Sequence, residues 1–264
     1  MTKGKKHMDG TKRCRIQFGL EAGESARAIA KEIGVSLSTV SREIGKHTYE
    51  SFKGCHRSKL VYVAGRAHED YQAFLAANPG VAPVFMDPVI GRPGGACLLT
   101  LHWPGAGFMV GIPVPNKCAA NVVAVFDRPC DELFPRLFPA LLTDRGTELS
   151  YPSRVEACED GTKRTRVFFC DPMNSNQKSQ LERNHELVRE ILPKGVSFDG
   201  LTQAQASLAL SHVNAYVRHA QDDRTPFEVF DFLYGEGTAT KLHIERPDPR
   251  DVVLKPRLVG IGMK

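Results

Sequence analysis

Paired cysteines are the first thing this chain lacks. Its seven cysteines, an odd number, stand at positions 14, 55, 97, 118, 130, 158 and 170, and no C-x-x-C occurs. That spacing excludes a zinc ribbon or finger, and the plain reading is reduced thiols filling core strands of a cytosolic protein. Long apolar runs are missing too. Residues 119–126 form one of the longest, far short of the roughly 20 residues of a membrane helix, so no membrane span is expected. The basic first fifteen residues lead into no apolar stretch, which excludes a secretory signal. No serine, tyrosine or cysteine stands beside a base in a nucleophile motif. The GRPGG run at 91–95 lacks the lysine and helix start of a phosphate loop and reads as a turn.

What is present is an ordinary soluble composition: 264 residues, 42% hydrophobic and 25% charged, enough for one domain with its own core plus a small one. The charge is uneven. Residues 1–66 hold 14 Lys and Arg against 6 Asp and Glu, whereas the remainder holds 21 against 24. A basic head on a slightly acidic body points to a polyanion as partner of the head.

Within that head, residues 20–46 read LEAGESARAIAKEIGVSLSTVSREIGK. Ser25 can cap a helix whose apolar positions Ala26, Ile29, Ala30 and Ile33 follow helical spacing. Gly34 accepts the positive φ of a sharp turn, and Ser36 or Ser38 can cap a second helix that turns Val40 and Ile44 inward. Small Ala30 lets the two helices cross closely, and Val40 plugs the corner. This is the steric pattern of a helix-turn-helix. Leu37, Ser38, Thr39, Ser41 and Arg42 would face outward, with Lys46 just beyond, a set suited to base edges and phosphates in a major groove. An ordinary helical hairpin with a polar face is the alternative. Residues 49–80 read as a basic connector, loop-like over 51–59 and helical over 60–75.

From residue 81 the pattern predicts three strands (81–86, 97–103, 108–114), a helix from 119 kinked or broken at Pro129, a short strand at 139–143, an excursion, a strand at 165–170 and a helix over 180–191. Asp87 ends the first strand, Asp144 ends the fourth and Glu182 opens the late helix. If the first and fourth strands lie side by side, the two aspartates meet, and a helix packed over the sheet lowers a glutamate onto them. Three clustered carboxylates repel one another and are tolerable only with cations. Hard oxygen ligands suit Mg²⁺ or Mn²⁺, and two such ions about 3.5–4 Å apart can activate an attacking oxygen and stabilise the leaving oxygen of a phosphodiester. Each acid also has a plain explanation: a strand-end residue before Pro88, the start of an Asp-Arg-Gly turn, and a first-turn helix acid.

These segments resemble a known family. TDRGTE at 143–148 resembles the second-aspartate motif of DDE transposases and retroviral-type integrases. FFCDPMNSNQKSQLERNHELVREILPKGVSFDGLT at 168–202 resembles the third-carboxylate region of the insertion-sequence-thirty family, as do Asn214-Ala215-Tyr216 and Arg224-Thr225-Pro226-Phe227-Glu228. The S-T-V-S-R-E-I run at 38–44 is similar to that family's helix-turn-helix. The resemblance implies an α/β, RNase H-like core, a mixed sheet flanked by helices, behind a small all-α head, with Asp87, Asp144 and Glu182 holding two Mg²⁺ or Mn²⁺ ions. Glu186 and Glu148 compete for the third place. His185 and Arg189 share the Glu182 helix face and are read as phosphate contacts, with a solvated face as the alternative. Pro88 and a probable insertion at 150–162 depart from the pattern, as does a brief N-terminal region suggesting a trimmed copy.

The expected organisation is a helix-turn-helix domain over 1–48, the connector over 49–80, the integrase-type core over 81–235 and a loosely held tail over 236–264. The implied partners are double-stranded DNA, both element ends and target, and further copies of the chain, in the bacterial cytoplasm. A transcriptional regulator and a catalytically inactive relic remain as rivals.

Overall fold

The computed structural model describes residues 10–261 apart from 22, 47, 52–58, 63–65, 128–132, 145–151, 159–160 and 171–178. The chain divides into two compact units, Met1–Phe74 and Leu75–Lys264.

The first unit opens with a helix the sequence pattern did not announce, α1 (Gly10–Glu21), followed by α2 (Ala26–Glu32) and α3 (Leu37–Lys46). Ser25 caps α2 as expected, its hydroxyl accepting from the Ala28 amide at 3.2 Å. Ser36 caps α3, accepting from Thr39 N at 3.1 Å. Gly34 makes the turn at φ +67°, where a Cβ would be strained. Ile16, Ile29, Ala30 and Val40 form a small buried core ringed by Leu20, Ala26, Ile33, Val35 and Ile44. Its first member, Ile16, belongs to α1, so the basic N-terminal stretch is structural as well as charged. After α3 come the hairpin strands β1 (Thr48–Ser51) and β2 (Lys59–Tyr62), then α4 (Arg66–Ala77). The helix expected over 60–75 therefore starts later. Leu60, Val61 and Tyr62 belong to β2, in keeping with the strand preference of β-branched and aromatic residues.

The second unit is built on a five-stranded sheet: β3 (Val84–Ile90), β4 (Cys97–Trp103), β5 (Phe108–Val114), β6 (Leu141–Thr143) and β7 (Val167–Phe169), in the order β5-β4-β3-β6-β7. The β3-β4-β5 meander is antiparallel, whereas β6 and β7 run parallel to β3. Strand β4 is buried along its whole length, as a central strand covered on both faces must be. Helices α5 (Ala119–Phe126), α6 (Leu133–Leu137), α7 (Pro152–Glu156), α8 (Ser179–Ile191), α9 (Gln203–Asn214), α10 (Pro226–Tyr234) and α11 (Thr238–Lys241) complete the unit. This is a mixed sheet flanked by helices, with the first and fourth core strands adjacent.

Aromatic packing fills one side of it. Trp103 lies 5.3 Å from Phe230 and 5.2 Å from Phe138 between ring centroids, Phe108 stacks on Phe230 at 3.9 Å, and the indole N–H donates to Leu137 O at 2.9 Å. The open edge of β5 is covered by side chains of α9: Asn214 both accepts from Met109 N (2.9 Å) and donates to Met109 O (2.7 Å), and Gln203 donates to Gly111 O. Amide side chains thereby stand in for a sixth strand and blunt the edge.

The described parts of the excursion and of the tail are both organised. Within 150–162, α7 and a bridge between Ala157 and Lys163 surround Arg164, whose guanidinium donates to the carbonyls of Val155, Phe126 and Arg154. After residue 235, the expected loose tail docks on α9: Glu245 N donates to Ser211 Oγ, Val253 N to His212 Nδ1, and Gln205 Nε2 to Val259 O, with Ile244 and Val259 buried. Its polar composition hid these contacts, because backbone amides make most of them.

Candidate functional site

The head presents the outward surface that its sequence described. On α3, Leu37, Ser38, Ser41 and Arg42 are exposed and Thr39 is half-buried, while Val40 points into the core. Ser36 Oγ lies 2.8 Å from Ser38 Oγ and 2.7 Å from Thr39 Oγ1, so Thr39 belongs to the capping cluster as well as to the surface. The side chain of Lys46 lies outside the described residues. Ion pairs brace α1 against the other two helices: Arg13 Nε to Glu43 at 2.5 Å, and Arg15 to both Glu24 and Glu32. The paired guanidinium holds the Glu32 carboxyl below its ordinary range.

In the second unit the parallel pairing of β3 with β6 aligns Met86 with Thr143. The next residue on each strand is an aspartate, so the backbone places Asp87 and Asp144 side by side. Asp87 does not end its strand, however. Strand β3 continues through Pro88 to Ile90, paired with β4. Pro88 is accommodated because the β6 pairing stops at Met86, and a missing amide is tolerated where a strand has an open side. Asp144 is exposed beyond β6.

Helix α8 crosses this part of the sheet. Leu181, Val188 and Ile191 are buried, and Glu182 and Glu186 are exposed. Glu182 stands one turn before His185, whose Nε2 is 2.9 Å from Thr100 Oγ1 and whose Nδ1 is 3.7 Å from Asp87 Oδ2. The Thr100 hydroxyl donates to the Asp87 carbonyl at 2.6 Å. The structure thus brings Asp87, Asp144 and the Glu182 helix to one end of the sheet. Among the described residues, no three His, Cys, Asp or Glu side chains are gathered closely enough to hold a metal ion. Carboxylates such as Asp87 and Asp144 are oxygen donors of the kind that suit a hard divalent cation. Glu148, the other competitor, lies outside the described residues.

His185 and Arg189, read as phosphate contacts, are turned toward the protein. Arg189 Nη2 donates to Ile90 O at 2.9 Å, its Nη1 is buried, and burial lowers the pKa of the guanidinium. Beside them is a polar group that the sequence reading missed. Asn184 donates to Gly107 O and accepts from Arg218 Nη2 at 2.7 Å. His102 is fully buried next to Phe85 with both ring nitrogens lacking a hydrogen-bond partner. Burial first, and then the nearby His185 and Arg218 charges, push its pKa down to about 3. One signal was available: Thr100 and His102 are the two polar residues of CLLTLHW and, two apart on a strand, share a face. Neighbouring Asp87 and Phe85 pair with them across the β3-β4 ladder.

Residues 6–47 match the helix-turn-helix domain family. Over 118 residues the chain is 26% identical to the transposase for insertion sequence element IS1086 of Cupriavidus metallidurans, covering 45% of this chain and 34% of that protein. Over 68 residues it is 37% identical to the uncharacterized 14.4 kDa protein in the laf 3′ region of Lactobacillus acidophilus, covering 26% of this chain and 52% of that protein. The matches thus span about a third and about half of those two relatives. Among solved structures, the catalytic core domain of BIV integrase gives a TM-score of 0.42 at 21% identity, over 61% of this chain and 99% of that one. The simian T-cell lymphotropic virus intasome in complex with PP2A regulatory subunit B56 gamma gives 0.40 at 13% identity, over 81% and 73%. No described helix is long and apolar enough to cross a membrane.

Proposed function

We propose that this protein is a DDE transposase of the insertion-sequence-thirty type, which binds the ends of a mobile element and cuts and joins DNA strands. The observation that supports it most is the juxtaposition at one sheet end: Asp87 and Asp144 on neighbouring parallel strands, with α8 docked against Asp87. The exposed face of α3, with Ser38, Ser41 and Arg42, enters the major groove, and Thr39 and Lys46 contact the backbone beside it. Asp87, Asp144 and Glu182 hold two Mg²⁺ or Mn²⁺ ions, Glu182 swinging in from its exposed position on α8. Bound there, the ions activate the attacking oxygen and stabilise the leaving one. The side chains would divide the work: Asp87 and Asp144 would hold the ions from the sheet, and Glu182 would complete the set from α8. His185 and Arg189 work from inside this assembly rather than on phosphate. Two element ends must be joined together, so a dimer or larger assembly forms on DNA.

The test is strand cleavage and transfer on the element's own ends with Mg²⁺, comparing the wild type with Asp144→Asn and Glu182→Gln. Both substitutions are expected to reduce cleavage to background while DNA retention persists. Unchanged cleavage in either variant removes that residue from the site, and Glu186→Gln and Glu148→Gln then identify the third carboxylate. One observation favours a second reading, an inactive relic or regulator that binds DNA without cutting it: no metal-holding group of three is gathered among the described residues. DNA binding by wild type that is indifferent to Mn²⁺ and yields no cleavage would establish it.

A further inference from the structure

We propose that His185 is a positioning residue that couples the Asp87 carboxylate to the helix bearing the third acid. This inference rests on the metal-site reading above and deepens it.

The hydroxyl of Thr100 has one proton, which it donates to the Asp87 carbonyl at 2.6 Å. Toward His185 Nε2, 2.9 Å away, Thr100 therefore acts as acceptor, so Nε2 carries a proton and donates it. That bond fixes the plane of the imidazole and sets its Nδ1 edge 3.7 Å from Asp87 Oδ2. One threonine thus anchors both the backbone of the first aspartate and the ring facing its side chain. The ring is only partly exposed, 17% of its side-chain surface, and faces the Asp87 carboxylate from α8.

The same helix is tied to the sheet at two other points, by Asn184 to Gly107 O and by Arg189 to Ile90 O. Each polar tie has one geometry, whereas the apolar contacts of Leu181, Val188 and Ile191 tolerate sliding and rotation. Three ties along one helix set its rotation about its axis. His185 is the member that also faces a carboxylate, and Glu182 lies one turn away on the same face. Its work is therefore to hold Asp87 and the base of Glu182 in one frame. Outer partners of this kind commonly change metal affinity by about 10- to 100-fold.

The experiment measures Mn²⁺ binding to the full chain by isothermal titration calorimetry, with melting in EDTA as the folding control, and compares the Mg²⁺ concentration for half-maximal cleavage. His185→Ala is expected to weaken Mn²⁺ binding about tenfold and to raise the Mg²⁺ requirement alike. His185→Asn, which can still donate to Thr100, is expected to recover most of the loss. Thr100→Val, which frees the ring, should fall between them. If Asp87→Asn abolishes binding while the His185 variants bind as wild type does, the positioning role is wrong and the metal site stands. If Asp87→Asn and Asp144→Asn also bind as wild type does, the metal-site reading itself fails. Should His185→Ala not fold, His185→Asn and Thr100→Val decide: wild-type affinity in Thr100→Val overturns the proposal.

Discussion

The head and the core hold themselves together by different means. The head has one small apolar cluster, Ile16, Ile29, Ala30 and Val40, and spreads ion pairs from Arg13 and Arg15 over its outside. The core buries Trp103, Phe108, Phe126, Phe198 and Phe230, and two of its buried polar residues, Thr100 and Asn184, lie on the strand and the helix next to Asp87. A three-helix unit of this size has little apolar area to spare, so surface charge does double duty there, as brace and as attraction for a polyanion. In the core, packing supplies the stability, and the polar groups are free to set geometry. The chain's one tryptophan is Trp103, so tryptophan emission, excited selectively over tyrosine, follows the core alone.

The largest effect is expected from Phe230→Ala, which empties the stack against Trp103 and Phe108. A loss of about 3–5 kcal/mol is expected, read as an earlier fluorescence melting transition, with helix signal from the head retained. Ile29→Ala in the head follows, at about 2–5 kcal/mol. It should abolish DNA retention while the Trp103 transition stays where it was; a shifted Trp103 transition would show that the units do not stand independently.

Acid should separate the two further. His102 is neutral in the folded core with its pKa depressed to about 3 from an ordinary 6.5. Between those values the unfolded chain takes up a proton that the folded one refuses, so core stability falls as pH drops from 6.5 and levels off below about 3. Fluorescence-monitored melting across that window should show the slope in wild type and a shallower one in His102→Leu. In the head the sign is the carboxylate one: Glu32, held below its ordinary value of 4.5 by Arg15, contributes stability present above that value and lost as pH falls through its lower folded pKa. The smallest effect belongs here, because the pair is exposed and screened. Arg15→Ala should lower the head's melting point slightly at low salt and not at all at 1 M.

Legibility differed between the units for reasons that particular residues make clear. Helices α2 and α3 were legible because Ser25, Ala30, Gly34 and Val40 all lie within one short segment, residues 25–40. Strands β4 and β5 were read to the residue, since Pro104-Gly105 and the GRPGG turn bound apolar runs. Helix α1 was missed because Ile16 and Leu20 are its described apolar contacts with the head's core, and two positions one turn apart carry little period. The hairpin strand at Leu60 was taken for helix because short apolar runs between basic residues do not distinguish the two. The end of β3 was misplaced because Asp87 and Pro88 look like a terminus, and only the limited reach of β6 explains why they are not. The inward turn of His185 and Arg189 was beyond the sequence, since helix spacing gives a shared face but not what that face meets.

By itself the sequence determined the local devices: the caps and turn of the head, the alternation of strands and helices in the core, and the presence of acids at three telling points. Local steric and hydrogen-bond preferences act over a few residues, so they are written in the order of the chain. Tertiary structure alone decided that β6 lies beside β3, which sets Asp87 next to Asp144, and that α8 is pinned through Thr100, Gly107 and Ile90. Those partners are 57 to 99 residues apart, as the pairing of Met86 with Thr143 and the Arg189 bond to Ile90 illustrate. Their meeting depends on how whole elements bury their apolar faces, a property of the assembled sheet and not of any segment within it.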